Sequence, residues 1–353
     1  MSSKKYKNIK KLGEGAGGVV TQAEDVGTGR IVAVKKVRMG KAKDGISMEA
    51  LREIKLLQEI KHPNVIELVD AFSSNTNVNL VFEYCLTDLD AVIRSREIFI
   101  TEAEVKGCLQ MILRGVEACH KHWTLHRDLK PNNILLGTDG NLKLADFGLA
   151  RIHGSPNPRL THIVVTRWYR APELLFGARQ YGTAIDMWAV GCVFAELMLR
   201  VPYLPGDSEI DQLVKIFHAR GTPDDDIWPG MSSLPGYVKF SHVPAQDHRA
   251  LFTAASEQAL DLLNKFLVFD PLKRISAADA LKHPYFTTGP PPSSAADLLK
   301  KFTKNETPIV NPDQKDRSNN ASPFRAPGTA CRKDDGSTPP SSQFATKRKL
   351  EFT

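Results

Sequence analysis

Apolar and polar residues alternate along Tyr6–Leu12, Val19–Glu24 and Ile31–Val37. A period of two predicts three strands, and Val26-Gly27-Thr28-Gly29 supplies a hairpin turn between the second and third. From Ser47, a candidate cap, the spacing changes to three and four, predicting a helix to about Ile60 that His62-Pro63-Asn64 stops. Leu80-Val81-Phe82-Glu83 reads as a short strand. Beyond it the pattern is mostly helical, clearest over Glu102–Lys121 and Asp186–Leu199. Ile134–Leu136 and Leu142–Leu144 flank Thr138-Asp139-Gly140-Asn141 and read as one more hairpin. This order predicts an α+β fold with a small β-rich lobe over residues 1–84 and a larger helical lobe over 85–286. After Phe286 the periodicity fades, and 9 of the 22 prolines fall in the remainder. A segment of that composition buries too little surface to offset its ordering entropy, so 287–353 is expected to be a disordered tail.

The formal charge of +7 raises the question of a nucleic-acid partner. The tail carries 11 Lys+Arg against 7 Asp+Glu, or +4, which leaves only +3 for residues 1–286. A nearly balanced core argues against direct nucleic-acid binding. The longest apolar run, Met187–Leu199, is too short for a bilayer and contains Glu196, so no membrane association is expected. No apolar stretch follows Met1-Ser2-Ser3-Lys4-Lys5, and no secretory signal is expected. Five cysteines without Cys-x-x-Cys spacing argue against a zinc site or a disulfide framework. Cys108 and Cys119 share a stripe with Leu109, Ile112 and Val116 and read as core filler, in keeping with a reducing compartment.

Gly13-Glu14-Gly15-Ala16-Gly17-Gly18-Val19-Val20 holds a G-x-G-x-x-G string. Alone it fits a dinucleotide loop or a plain hairpin, but here the glycines sit between two strands instead of opening a helix. That context suits backbone amides folding over a triphosphate. Lys35 follows on the next strand, in Val32-Ala33-Val34-Lys35. Glu53 shares a helix face with Ala50, Leu57 and Ile60, and a carboxylate on an apolar stripe needs a cation. Lys35 fits as that cation and would then be held against phosphates; the sequence also leaves room for a different cation at Glu53. His126-Arg127-Asp128-Leu129-Lys130-Pro131-Asn132-Asn133 precedes Asp146-Phe147-Gly148. Phosphoryl transfer from ATP needs a carboxylate beside the acceptor hydroxyl and oxygen ligands for Mg2+. Asp128 suits the first task and Asn133 and Asp146 the second. Lys130 would offset charge on the moving group.

With these strings in order, the chain resembles protein kinases over residues 6 to 286, Ala171-Pro172-Glu173 included. The resemblance implies the two-lobed protein kinase fold. It implies catalytic roles for Asp128, Lys130, Lys35 and Glu53, with Asn133 and Asp146 on metal. It implies an ATP site built from Leu12, Gly13, Glu14, Gly15, Ala16, Gly17, Gly18, Val19, Val20, Ala33, Lys35, Glu83, Cys85, Asp88 and Leu135. Phe82 would be its gatekeeper, and Asp88 would meet the ribose. Asp186 would anchor the catalytic loop, and Arg274 would pair with Glu173. A pseudokinase scaffold would be expected to lack one of Lys35, Asp128, Asn133 or Asp146, and all four are present.

Ala50-Leu51-Arg52-Glu53-Ile54 stands where cyclin-dependent kinases present a helix to a cyclin. More narrowly the chain is similar to the catalytic subunit of the cyclin-dependent-kinase-activating kinase of the general transcription and repair complex. Lys43-Asp44-Gly45-Ile46, His122-Trp123, Asn132-Asn133 and Thr161-His162 carry that likeness, with the stretch Thr166–Arg179. It implies an H-type cyclin, a ring-finger assembly factor, and two substrates: other cyclin-dependent kinases and the repeat tail of RNA polymerase II. It also implies nuclear residence, with some cytoplasmic presence compatible. Another cyclin-dependent kinase, of cell-cycle or ciliary type, is the alternative, because Ser47 and Met48 depart from the polar residues expected before the cyclin-facing helix. A mitogen-activated kinase would need a Thr-x-Tyr pair, and Thr161-His162-Ile163 is not one. Ala16 and Gly17 replace an inhibitory Thr-Tyr pair, so the loop should be blind to that control and more mobile. Thr161 stands where activating phosphorylation falls in the family, facing Arg52, Arg127 and Arg151; Ser155-Pro156 offers a second acceptor. Val164, Val165 and Arg170 match a pocket favouring proline after the target residue.

Overall fold

The structure, a computed structural model, describes residues 5–15, 18–38, 48–74, 77–153 and 165–303. The first three strands are β1 (Tyr6–Gly15), β2 (Gly18–Asp25) and β3 (Ile31–Arg38). Helix α1 (Met48–Glu59) follows, then β4 (Leu68–Ser74) and β5 (Asn77–Glu83). They form one antiparallel sheet in the order β1-β2-β3-β5-β4. The Val26–Gly29 turn closes as expected, with Gly29 N–H donating to Asp25 O at 2.7 Å. Strand β4 is absent from the periodicity because the register shifts between Leu68 and Asp70, which breaks the alternation. Asp70 instead accepts from Lys5 Nζ and Tyr6 Oη, both at 2.9 Å.

The sheet has two unequal faces. Tyr6, Ala23, Val32, Val34 and Val81 form a small outer cluster. Leu80 and Phe82 point the other way and join Leu56 and Leu57 of α1, and Ile60 just after it, in the main core, which continues into the helical lobe. Glu53 lies on that same face of α1, 3 % exposed, as the spacing predicted. Ser47, the expected cap, lies outside the described residues.

Strand β6 (Cys85–Asp88) leads from the sheet into α2 (Leu89–Arg94) and α3 (Glu102–Lys121). The bounds of α3 are those read from the sequence. Thr101 and Glu104 cap it reciprocally, with Thr101 N–H donating to Glu104 Oε2 at 2.6 Å. Short β7 (Thr124–Leu125), β8 (Ile134–Gly137), β9 (Leu142–Leu144) and β10 (Arg151–Ile152) carry the segments that matter chemically. The expected β8–β9 hairpin forms, with Ile134 opposite Leu144. Helices α4 (Pro172–Leu175), α5 (Ala184–Leu199), α6 (Glu209–Arg220), α7 (His248–Leu251), α8 (Glu257–Phe266) and α9 (Ala277–Ala280) complete the lobe. Cys108, Cys119 and Cys192 are buried there, and Cys85 is half-buried.

Packing runs past the expected boundary at Phe286, which corrects the reading of 287–303 as tail. Helix α10 (Ala295–Thr303) buries Leu298 and Phe302. Lys106, 1 % exposed, donates to the carbonyls of Thr288 at 2.6 Å and Pro290 at 3.0 Å. Gly140, at φ +81°, lies so near Ala295 O that a Cβ would stand 2.1 Å from it. Two apolar residues one turn apart, amid prolines and serines, gave no visible period; they pack only because α3 and the β8–β9 turn supply the opposing surface.

One buried ion pair braces the helical lobe as anticipated. Arg274 meets Glu173 in two bonds of 2.7 and 3.0 Å and also donates to the carbonyls of Val268, Ala184 and Phe269. Removing one partner strands a charge in the core, so Glu173→Ala should cost about 3–5 kcal/mol. Chemical denaturation read by tryptophan fluorescence checks this.

Candidate active site

The catalytic loop takes its shape from a buried carboxylate. Asp186, 1 % exposed on α5, accepts the backbone N–H groups of His126 (Oδ2) and Arg127 (Oδ1), each at 2.9 Å, and lies 2.9 Å from His120 Nε2. Burial pushes its pKa up; the His120 bond and the loop N–H groups outweigh that and hold it below the ordinary carboxylate value. Arg127 sits at φ +67°. That strained turn immediately precedes Asp128.

Asp128 is 6 % exposed, and both its oxygens are engaged. Oδ1 accepts the N–H of Thr166 at 3.1 Å and its hydroxyl at 3.0 Å. Oδ2 accepts Asn133 Nδ2 at 2.9 Å and lies 2.9 Å from Lys130 Nζ. Lys130 also reaches Thr166 Oγ1 at 3.0 Å. In the sequence Thr166 only opens the Thr166–Arg179 stretch of the likeness; its bond to Asp128, 38 residues away, is not marked by anything local.

The hairpin does what its spacing predicted. Ala145 N–H donates to Asn133 O at 2.9 Å, so Asn133 and Asp146 end up side by side. Asn133 uses its NH2 on Asp128 O and Oδ2, which leaves its amide oxygen as the donor to a cation. Asp146 stands at φ +62° and is held by Lys35 Nζ at 3.1 Å. Lys35 is also 3.1 and 3.2 Å from the two Glu53 oxygens, the pairing that the α1 face suggested. Burial works against the Lys35 charge, but two carboxylates overcome it and raise its pKa. For Asp146, burial likewise works against ionisation, and Lys35 prevails and lowers the pKa.

Between the lobes lies a cavity of about 820 Å³. Leu12, Gly13, Glu14, Val20, Ala33, Lys35, Glu83, Cys85, Asp88, Leu135, Asn133 and Asp146 line it, as does Phe82. Gly15 ends β1, Gly18 and Val19 open β2 without lining the cavity, and Ala16 and Gly17 lie outside the described residues. Gly18 is required by geometry, since at φ +117° a Cβ would meet Lys36 O at 2.2 Å. Ile66 and Ala145, not singled out in the sequence, contribute to the walls. Asp88 accepts Ala91 N–H at 2.7 Å to cap α2, and burial raises its pKa to about 6.

Three arginines gather at the start of the activation segment. Arg52 Nη1 donates to Gly148 O at 3.3 Å, and Arg127 Nε to Leu149 O at 2.7 Å. Arg151 follows on β10 with a buried Nη1 that has no hydrogen-bond partner among the described residues. Thr161, Ser155 and Val164 lie outside the described residues, so their placement is not part of this geometry. Farther along, Val165 stands at φ +67° and its carbonyl accepts Arg170 Nε at 3.2 Å and Nη2 at 2.9 Å.

Comparison with known proteins agrees with this arrangement. The family described as protein kinase domain matches residues 6–286. Cyclin-dependent kinase D-1 of Arabidopsis thaliana is 55% identical over 302 residues, covering 86% of this chain and 76% of that protein. Cyclin-dependent kinase 7 of Dictyostelium discoideum is 54% identical over 304 residues, covering 85% and 84%. A solved structure of the CAK complex from Chaetomium thermophilum bound to ATP-gamma-S superposes with a TM-score of 0.80 at 44% identity, covering 84% of this chain and 95% of that one. The chain belongs to the protein kinase family, and within it to the cyclin-dependent, ATP-dependent serine/threonine kinases.

Proposed function

We propose that this kinase, held by an H-type cyclin and a ring-finger assembly factor in the general transcription and repair complex, phosphorylates other cyclin-dependent kinases and the repeat tail of RNA polymerase II. The observation that carries the chemistry is the position of Asp128 against Asn133, itself a lining residue of the inter-lobe cavity, with Thr166 fixing its other oxygen and Lys130 paired to it. The partners and substrates are supported by the high identity to Cyclin-dependent kinase 7 proteins and by the likeness to the CAK complex. Nuclear residence belongs to the same reading.

Adenine would lie between Val20, Ala33 and Leu135, bonded to the backbones of Glu83 and Cys85, with Asp88 at the ribose and the β1–β2 turn over the phosphates. Lys35, fixed by Glu53, would hold the α- and β-phosphates. The Asp146 carboxylate and the Asn133 amide oxygen are hard donors that fit Mg2+, which when bound would neutralise charge on the phosphate oxygens. Asp128 orients the acceptor hydroxyl and takes its proton as the bond to phosphorus forms and ADP leaves. Lys130 offsets the negative charge that develops.

A substrate residue after the acceptor would face the Val165 carbonyl, which Arg170 already occupies. A backbone N–H there would lose its partner, whereas proline has none to lose. Thr161 is the proposed regulatory acceptor, with Ser155 as a second. Phosphate on Thr161 would bring three acceptor oxygens to Arg52, Arg127 and Arg151, and Arg151 Nη1, which has no hydrogen-bond partner among the described residues, is the group most in need of them.

Asp128→Asn in the purified cyclin complex should lower phosphate transfer to a polymerase repeat peptide by about 10²–10⁴-fold, measured by radiolabel incorporation. Replacing the proline after the acceptor serine with alanine should reduce kcat/KM about tenfold, a loss near 1.4 kcal/mol in transition-state stabilisation. Thr161→Ala should weaken both activity and cyclin assembly, with a smaller loss when the assembly factor is present; undiminished values for both would remove Thr161 from the account.

A further inference from the structure

Lys143 is absent from the motifs, yet it sits in the middle of β9 with 5 % of its surface exposed. A buried ammonium has three donors to satisfy, and here each finds an oxygen from a different segment. Glu83 Oε2, where the sheet passes into β6, is 3.1 Å away. Asp139 Oδ2, in the β8–β9 turn, is at 3.2 Å, and Pro63 O, just after α1, is also at 3.2 Å. Both carboxylates are themselves fixed. Glu83 Oε1 accepts Glu67 N–H at 2.9 Å, and Asp139 accepts from the N–H and Nδ2 of Asn141 at 3.0 and 2.9 Å. The fold also makes room for the lysine stem. At Gly137, opposite Cys85 in the β6–β8 pairing, a Cβ would stand 2.6 Å from Lys143 Cε and 2.5 Å from Asp139 Oδ1.

We infer that Lys143 is a positioning residue for the nucleotide: it fastens the Glu83 end of the inter-lobe cavity to the hairpin that carries Leu135 and Asp146. Leu135 is directly opposite Lys143 in the β8–β9 register, and both Leu135 and Glu83 line the cavity. One ammonium therefore sets the distance between the expected adenine-bonding backbone and the floor beneath it. Without it, two carboxylates face each other across the gap and the two walls are free to part. The inference rests on the reading of this cavity as the ATP site.

The test uses the purified cyclin complex and two readouts, steady-state kinetics on a polymerase repeat peptide and ADP binding by calorimetry. Lys143→Met should raise both the ATP KM and the ADP Kd about tenfold while kcat stays within about twofold. Lys143→Arg should recover most of the affinity, since it restores the charge and donors. Glu83→Gln should raise KM by itself and add little to Lys143→Met, because both remove the same interaction. Should Lys143→Met fail to fold, Lys143→Arg and Glu83→Gln still decide the matter through KM. Unchanged KM and Kd in Lys143→Met and Glu83→Gln, or a fall in kcat that tracks melting temperature with strictly additive effects, would overturn the role of Lys143. A wild-type complex that neither binds ADP nor phosphorylates the peptide would instead strike the underlying reading of the cavity.

Discussion

Asp186 is the group on which the catalytic loop depends. Its carboxylate is fully buried, and its oxygens accept consecutive backbone N–H groups from His126 and Arg127. Those bonds stabilise a left-handed Arg127, a conformation that costs a non-glycine residue about 1–3 kcal/mol. Because Arg127 is turned that way, its guanidinium faces Leu149 O and Tyr181 Oη, while Asp128 meets Asn133, Lys130 and Thr166. A single buried charge thus sets the direction of two functional side chains.

The lobes are joined by a second set of charges. Lys35 from the sheet meets Glu53 of α1 and Asp146 of the helical lobe, so the ammonium sits where sheet, helix and the segment after β9 converge. Arg52, one residue before Glu53, reaches Gly148 O. Any movement of α1 is therefore felt at Asp146 through Lys35 and at the activation segment through Arg52. A partner pressing on α1 would thereby have a physical route to Asp146, without a long chain of intermediaries.

Much of the site was legible because its residues come in short strings whose spacing is a local property. The β8–β9 hairpin is one: turn residues between two apolar runs require Asn133 and Asp146 to return to one place, and Ala145 N–H on Asn133 O is the result. Glu53 was legible as well, since helical periodicity alone puts its carboxylate on a buried face.

Other members depended on contacts between segments far apart in the chain. Thr166 binds Asp128 across 38 residues, and Lys143 holds Glu83 across the cavity wall, so no local window contains either relation. Strand β4 escaped notice because a bulge breaks its alternation, and α10 because its two apolar residues are buried only in the presence of α3. The amino-acid order by itself determined the element sequence, the turn chemistry and the identity of the reactive groups, all of which follow from backbone periodicity and side-chain type. Which oxygen meets which nitrogen was decided only on folding, since hydrogen bonds act over about 3 Å and such proximity between distant segments exists only in the packed chain.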